Sequence, residues 1–226
     1  VSLPEPTSPP SPNGLLVIVS SPSGGGKTTI IHKTMEQLAT RGISSHFSIS
    51  HTTRGARPAE TDGVDYHFVE PATFKSMAQR GEMLEWAEYA GNLYGTSRVE
   101  VENRLHAGID VFLDIEVQGA EQVKTAIPDA IKVFIYPPSF TVLAQRLRQR
   151  RQDPLEAITK RLQWALRELC VAREFDYAII NDRLEDAVDA LTGICVAEHH
   201  RSRRMEPRLD RIREAFQEDL EKDLPR

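Results

Sequence analysis

Apolar residues run unbroken through residues 15–19 (LLVIV), a small-residue stretch follows, and residues 28–39 then carry a helical pattern. A continuous apolar run of this length, with no polar alternation, predicts a strand covered on both faces. Three later runs share the pattern: residues 111–115 (VFLDI), 132–136 (KVFIY) and 177–181 (YAIIN). Residues 46–50 (HFSIS) are a weaker fifth strand, because polar and apolar positions alternate there. Helical patterns separate several of these runs, so the economical arrangement is a mostly parallel sheet with helices on both faces and its active edge beyond the strand carboxyl ends.

Between residues 51 and 94 the pattern shortens. Residues 66–69 (YHFV) and 83–89 (MLEWAEY) read as extended pieces around a short helix over residues 72–80, which predicts a small mixed α/β insertion. Residues 142–169 are helical but broken at Asp153-Pro154, where proline prevents a continuous helix, and the break predicts a lid. At the end of the chain Leu209, Ile212, Phe216 and Leu220 form one apolar stripe among charged residues; such a helix is marginal alone and is expected to pack on the body or a second subunit. Residues 1–13 hold five prolines and three serines and too little apolar surface to offset ordering, so a disordered tail is expected.

Charge narrows the partners. The net charge of −5 offers no general field for nucleic acid, so a local basic cleft for a small anionic ligand is the expectation. No apolar stretch approaches the roughly 20 residues that span a bilayer, and neither a membrane nor a nucleic acid is an expected partner. Cys170 and Cys195 lack any paired metal-ligand spacing and read as small buried hydrophobes, suited to a reducing cytoplasm.

The chemistry starts at residues 20–29 (SSPSGGGKTT), between a strand and a helix. Consecutive glycines allow backbone amides to point inward at anionic oxygens, and the helix N-terminus adds unsatisfied donors. Ser23, Gly24, Gly25, Gly26, Lys27, Thr28 and Thr29 therefore form the candidate ATP phosphate cradle. Lys27 would reach the β and γ phosphates, and the Thr28 hydroxyl would bind the Mg2+ bridging them. The usual motif begins with glycine six residues before the lysine; Ser21 stands there, at a cost of about 1 kcal/mol if a left-handed backbone is required. Asp114 and Glu116, two residues apart at the end of the run over residues 111–115, can present carboxylates at the sheet rim. Arg54, Arg57 and Tyr66 supply cations and a phenol able to clamp a terminal phosphate.

The ordered set of these motifs resembles the guanylate kinases. The glycine loop, Ser50-His51-Thr52-Thr53-Arg54, Arg57-Pro58 with Glu60, Asp62-Gly63-Val64-Asp65-Tyr66-His67-Phe68, Glu85-Trp86, Gly91-Asn92-Leu93-Tyr94-Gly95-Thr96 and Asp114-Ile115-Glu116 occur in that family's order, followed by Pro137-Pro138-Ser139 and Ile180-Asn181-Asp182. The likeness spans residues 15–199.

The resemblance implies an α/β P-loop kinase fold: a mostly parallel sheet flanked by helices, an inserted small mixed α/β GMP-binding domain and a helical lid. Core spans of residues 14–50 and 95–198, an insertion over 51–94, a lid over 146–160 and a C-terminal helix over 199–226 follow. It implies transfer of the ATP γ-phosphoryl group to GMP or dGMP in the cytoplasm. By likeness, Arg54, Arg57, Tyr66 and Tyr94 hold the GMP phosphate, while Ser50, Glu85, Thr96 and Glu116 read guanine. Lys27, Arg54, Asp114 and the lid arginines Arg146, Arg150 and Arg161 serve the transfer, and Asn181 lies near adenine. Guanine offers N1–H and an amine as donors, so an acceptor at Glu85 distinguishes it from adenine. Trp86 reads as packing support, and the family's glycine after the second lid arginine is Arg151 here. Two other readings stay open: a guanylate-kinase-like protein-binding module, and a kinase for another nucleotide. A homo-oligomer through the C-terminal helix is a further expectation.

Overall fold

The computed structural model describes residues 14–89, 91–149 and 155–223. The anticipated disordered tail, Arg150, Arg151 and the Asp153-Pro154 break lie outside the described residues.

Two sheets organise the molecule. The core sheet contains β1 (Leu16–Ser20), β2 (Ser45–Phe47), β7 (Asp110–Asp114), β8 (Ile131–Tyr136) and β9 (Tyr177–Ile180), in the spatial order β2-β7-β1-β8-β9. Every pairing in it is parallel. The four strong apolar runs became its four central and edge strands on one side of β2, displaced by at most a residue.

Burial on both faces explains three of the four unbroken runs; β9, at the sheet edge, departs from that expectation, burying Ile179 but leaving Ala178 and Ile180 exposed. Leu15, Val17 and Val19 join Ile30, Ile31 and Leu38 of α1 (Lys27–Thr40) and Val188, Leu191 and Cys195 of α7 (Leu184–His199). Leu16 and Ile18 point the other way, into a cluster with Val101 of α3 (Arg98–His106) and Ala120 and Val123 of α4 (Val117–Ala126). Each fully buried aliphatic side chain contributes roughly 1.5–3 kcal/mol, so β1, buried along its whole length, is a firm support for the loop that follows it.

The second sheet has the order β4-β3-β6-β5 and is built from β3 (His51–Thr52), β4 (His67–Phe68), β5 (Met83–Tyr89) and β6 (Asn92–Ser97). β3 pairs β4 in parallel, whereas β6 runs antiparallel to both β3 and β5. Helix α2 (Pro71–Gln79) lies between β4 and β5 in sequence and buries Phe74. The extended reading of residues 46–50 needs correction: β2 ends at Phe47, and the chain then changes sheets. Ser48 N–H still donates to Phe112 O (3.0 Å), but Ser50 O already accepts from His67 N–H (2.9 Å) in the second sheet. Residues 66–69 likewise shorten to the two-residue β4.

Two helices, α5 (Phe140–Gln149) and α6 (Leu155–Val171), stand on either side of the undescribed break. Leu143 and Leu147 of α5 pack with Leu162 and Ala165 of α6 as a satellite of the main core. Three expectations about apolar residues fail. Cys170 is exposed, on the outer side of α6, while Cys195 is buried as expected. Trp86 is 45% exposed, because the ladder irregularity between Met83 and Glu85 resets the alternation of β5, and from there Glu85, Ala87 and Tyr89 share one face while Trp86 takes the other. The stripe of α8 (Ser202–Asp223) does not pack on the body: Leu209, Ile212, Phe216 and Leu220 are 46–76% exposed.

The base of α8 is nevertheless fixed at the amino ends of the core strands. Buried Asp110, the first residue of β7, accepts from Leu15 N–H at 2.8 Å and meets His199 Nε2 at 2.9 Å. Beside it Arg201 pairs with buried Glu198 (2.7 Å) and Arg203 with Asp129 (2.8 Å).

Candidate active site

The opposite ends of the same strands carry the site. After β1 the chain turns sharply, with Gly25 N–H donating to Pro22 O at 2.8 Å. Gly24 and Gly26 have φ of 90° and 92°, a backbone region that favours glycine. Gly26 is also the N-cap of α1, and no side chain caps it. The first turn of α1 thus keeps its amide donors and positive dipole end for a ligand. Gly25 is required for a different reason: a Cβ there would lie 2.3 Å from Ser21 Oγ.

Lys27 Nζ donates to Ser21 O at 3.0 Å and lies 3.5 Å from Asp114 Oδ1. The Thr28 hydroxyl donates to Asp114 Oδ2 at 2.7 Å. Parallel pairing of β1 with β7 sets Val19 beside Asp114, which brings the loop and the carboxylate to one rim. A magnesium ion fits these two hard oxygen donors. Among the described residues no cluster of three or more acidic, histidine or cysteine side chains surrounds such an ion, so the ATP phosphates and water must complete its shell.

The glycine loop lines a cavity of about 810 Å³. Ser23, Gly24, Gly25, Gly26, Lys27, Thr28 and Thr29 border it, as do Asp114, Glu116 and Arg161. Two expected residues stand behind this wall. Asn181 is buried, its Nδ2 donates to Gly25 O at 2.7 Å, and a Cβ at Gly26 would sit 2.6 Å from that same Nδ2. It braces the loop from beneath. Arg146 Nη2 donates to Asn181 O at 3.1 Å, while its buried Nη1 has no hydrogen-bond partner among the described residues. Of the three lid arginines the structure brings Arg161 to the cavity, sets Arg146 behind the loop, and leaves Arg150 outside the described residues.

A second cavity of about 350 Å³ opens between the sheets. Ser50, Arg54, Arg57, Tyr66, Glu85, Tyr94 and Glu116 line it. Arg54 forms a fork on Glu60, with both N–O distances 2.9 Å, and Glu60 also accepts from Arg57 N–H at 2.8 Å. The Arg54 guanidinium, held charged first by Glu60 and also by a hydrogen bond with Tyr94, lies 5.3 Å from the Tyr66 ring centre. Glu60, its acidity increased chiefly by Arg54, thus holds the cation in place before any phosphate arrives.

Glu85 is 6% exposed. A register shift in the β5–β6 ladder falls between Met83 and Glu85, and such irregularities re-aim side chains. Thr96 donates to Glu85 Oε1 at 2.7 Å; its hydroxyl serves the carboxylate, and Thr96 is not part of the cavity wall. Gly119 of α4 permits the close packing, since a Cβ there would be 2.7 Å from Glu85 Oε2. Burial, reinforced by Glu116, pushes the Glu85 carboxyl up to about 6 despite the Thr96 hydrogen bond. Glu116 itself is the N-cap position of α4 but makes no side-chain cap bond there.

Several bordering residues escaped the sequence reading. Lys160, Trp164 and Glu168 of α6 face the larger cavity with Arg161. Arg161, Trp164 and Glu168 are spaced by three and four, the spacing of one helix face, and that periodicity was a usable signal. Burial pushes the Glu168 carboxyl up to about 7, Lys27 opposing and Glu116 adding to the shift. Tyr89 borders both cavities, together with Lys27, Arg57, Asp114 and Glu116.

The two cavities adjoin along a shared rim, one bordered by the glycine loop and the other by Arg54, Arg57 and buried Glu85. The sequence profile named "Guanylate kinase" matches residues 13–198. The chain belongs to the guanylate kinase family. A guanylate kinase of Vibrio cholerae is 49% identical over 185 residues, covering 82% of this chain and 88% of the relative. Another, from Desulfitobacterium hafniense, is 44% identical over 192 residues, covering 85% and 94%. The crystal structure of guanylate kinase from Anaplasma phagocytophilum superposes with a TM-score of 0.67 at 28% identity, covering 89% of this chain and 98% of that one. This guanylate kinase family member also has no helix, among its described residues, long and apolar enough to cross a membrane.

Proposed function

We propose that this chain transfers the γ-phosphoryl group of ATP to GMP or dGMP, with ATP in the larger cavity and the monophosphate in the smaller one. The observation that carries the reading is the shared wall: Lys27, Arg57, Asp114 and Glu116 border both cavities, so a donor phosphate and an acceptor phosphate meet across them. A cytoplasmic setting suits the two free cysteines.

The mechanism follows from the positions of charge. The loop amides and Lys27 hold the donor phosphates, and Arg54, Arg57, Tyr66 and Tyr94 hold the acceptor phosphate. An oxygen of the GMP phosphate attacks the γ phosphorus, the bond to the β–γ bridging oxygen breaks, and ADP leaves with those electrons. That phosphate oxygen is largely deprotonated near neutral pH, so no general base is required. Bringing the two anions together is the main electrostatic obstacle, and fixed cations that need no reorganisation lower it. Thr28, with Asp114 behind it, would hold Mg2+, which supplies charge neutralisation on the polyphosphate. Arg161, entering from α6, adds positive charge on the lid side, and lid closure excludes water that would otherwise compete with GMP.

Glu85 gives the base preference. Its carboxylate accepts from guanine N1–H and the exocyclic amine, whereas adenine would leave it buried and unpaired. Ser50 and Glu116 border the same cavity and complete the polar frame. A protein-binding module has no use for an uncapped glycine loop with its lysine and threonine intact.

The deciding experiment offers GMP, dGMP, AMP, CMP and UMP with ATP and magnesium in a coupled assay. Selective consumption of GMP and dGMP is expected; equal use of AMP, or none of any, defeats the assignment. Lys27→Ala is expected to lower kcat by about 100-fold or more. Unchanged single-turnover rates in that variant would remove Lys27 from the transfer.

A further inference from the structure

Glu85 lies between two fixings, and helix α4 supplies both. On one side of it Leu84 packs into the cluster that holds Ala120 and Val123 of α4. On the other side the Trp86 backbone is gripped by a single side chain. Trp86 N–H donates to Gln122 Oε1 at 3.2 Å, and Gln122 Nε2 donates to Trp86 O at 3.0 Å. A primary amide carries its acceptor and its donor on one carbon, so it meets both backbone groups of one residue as a neighbouring strand would.

The place of this grip is informative. β5 is the edge strand of the second sheet, and Gln122 stands in for a strand partner at one position along it. The ladder irregularity between Met83 and Glu85 comes immediately before that position. Pairing is locally disrupted at such an irregularity, so the strand there needs another hold to keep its side chains aimed. Packing of the Trp86 side chain does not provide it, because that side chain is exposed. Gln122 follows Gly119 by three residues and Gln118 by four, the spacing of one helix face. Gln118 and Gly119 border the smaller cavity, and Gly119 abuts the Glu85 carboxylate, whereas Gln122 borders neither cavity.

We propose that Gln122 is a positioning residue for base selection: by clamping the Trp86 backbone it sets the depth and tilt of the Glu85 carboxylate, so that guanine N1–H and the exocyclic amine are met together. The proposal rests on the reading of Glu85 as the guanine acceptor. A two-point contact depends on aim more than a one-point contact does, because a tilted carboxylate keeps one hydrogen bond and loses the other. The clamp's own hydrogen bonds are solvent-exposed, so their loss costs little overall stability and acts mainly on that aim.

The test compares GMP with inosine monophosphate, which keeps N1–H and lacks the amine. Gln122→Met removes the amide at nearly constant length. In that variant kcat/KM for GMP should fall about tenfold through KM, and that for inosine monophosphate less than about threefold, so the preference narrows. KM for ATP should hold. Gln122→Asn, one methylene too short to reach both backbone groups, should narrow the preference in the same way. In a Glu85→Ala background, where no carboxylate is left to aim, Gln122→Met should leave the preference where Glu85→Ala alone puts it. Equal losses for the two acceptors, or an undiminished preference in both Gln122 variants, would overturn the positioning role and leave Gln122 as a cover for the strand edge. Further narrowing in the Glu85→Ala background would overturn it too. If Glu85→Ala by itself left the preference intact, the reading of Glu85 would fall and this proposal with it, a result told apart from the others because it arises with Gln122 untouched.

Discussion

Glu85 sits in a place that disfavours its own charge. Its carboxyl is raised from the ordinary 4.5 to about 6, chiefly by burial, so between those values the folded chain binds more protons than the unfolded one. Stability therefore falls as pH rises through about 4.5 to 6 and stays lower above it, by about 2 kcal/mol. Glu85→Gln keeps an acceptor for the Thr96 hydroxyl but carries no charge. Denaturant titration should find the variant more stable at neutral pH and equal to the original chain below about pH 4.5, while GMP binding weakens much more than ATP binding. Equal loss of both ligands would indicate damage and sink the specificity role. At this scale the charged loop motifs were legible because glycine, lysine and threonine have meaning at fixed spacing. The assistance given by Thr96 and Asn181 was not, since their partners, Glu85 and Gly25, are 11 and 156 residues away.

Helix α4 limits the guanine side as closely as β5 does. Gly119 lies on its buried side, and a methyl group there would meet Glu85 Oε2 at 2.7 Å. Gly119→Ala should improve the intrinsic helix preference of α4 by about 1 kcal/mol and still harm function by moving the carboxylate. Steady-state kinetics should show KM for GMP raised about tenfold to a hundredfold, with KM for ATP little changed; parallel rises in both would refute the contact. The elements themselves were readable where one physical cause dominated. Runs buried on both faces declared β1, β7 and β8, and an equally apolar run declared β9 although Ala178 and Ile180 there are exposed. The short β3 and β4 carried no such signal, because two-residue strands are defined by pairing with distant segments.

On the scale of the whole molecule, the proposed transfer would draw on three parts: the glycine loop of the core sheet, the second sheet and α6. Trp164 of α6 is 53% exposed and borders the larger cavity, so it can report closure. With Trp86→Phe as background, a tethered ATP–GMP analogue should shift Trp164 emission to shorter wavelength, more than either nucleotide alone. No shift with the analogue would mean that α6 does not close over the pair. The apolar stripe of α8 was also visible as a pattern, but the pattern alone does not distinguish a stripe packed on the body from one that faces solvent; the exposure of Phe216 makes that distinction.

The root of α8 is bound to Asp129 and to the residues around Asp110, at the end of the core strands remote from the glycine loop. The end of the chain is thereby moored on the far side of the sheet from the chemistry, so cutting α8 after Pro207 should leave both KM values unchanged in steady-state kinetics, and a rise in either would show that the mooring reaches through β1 and β7 to the loop.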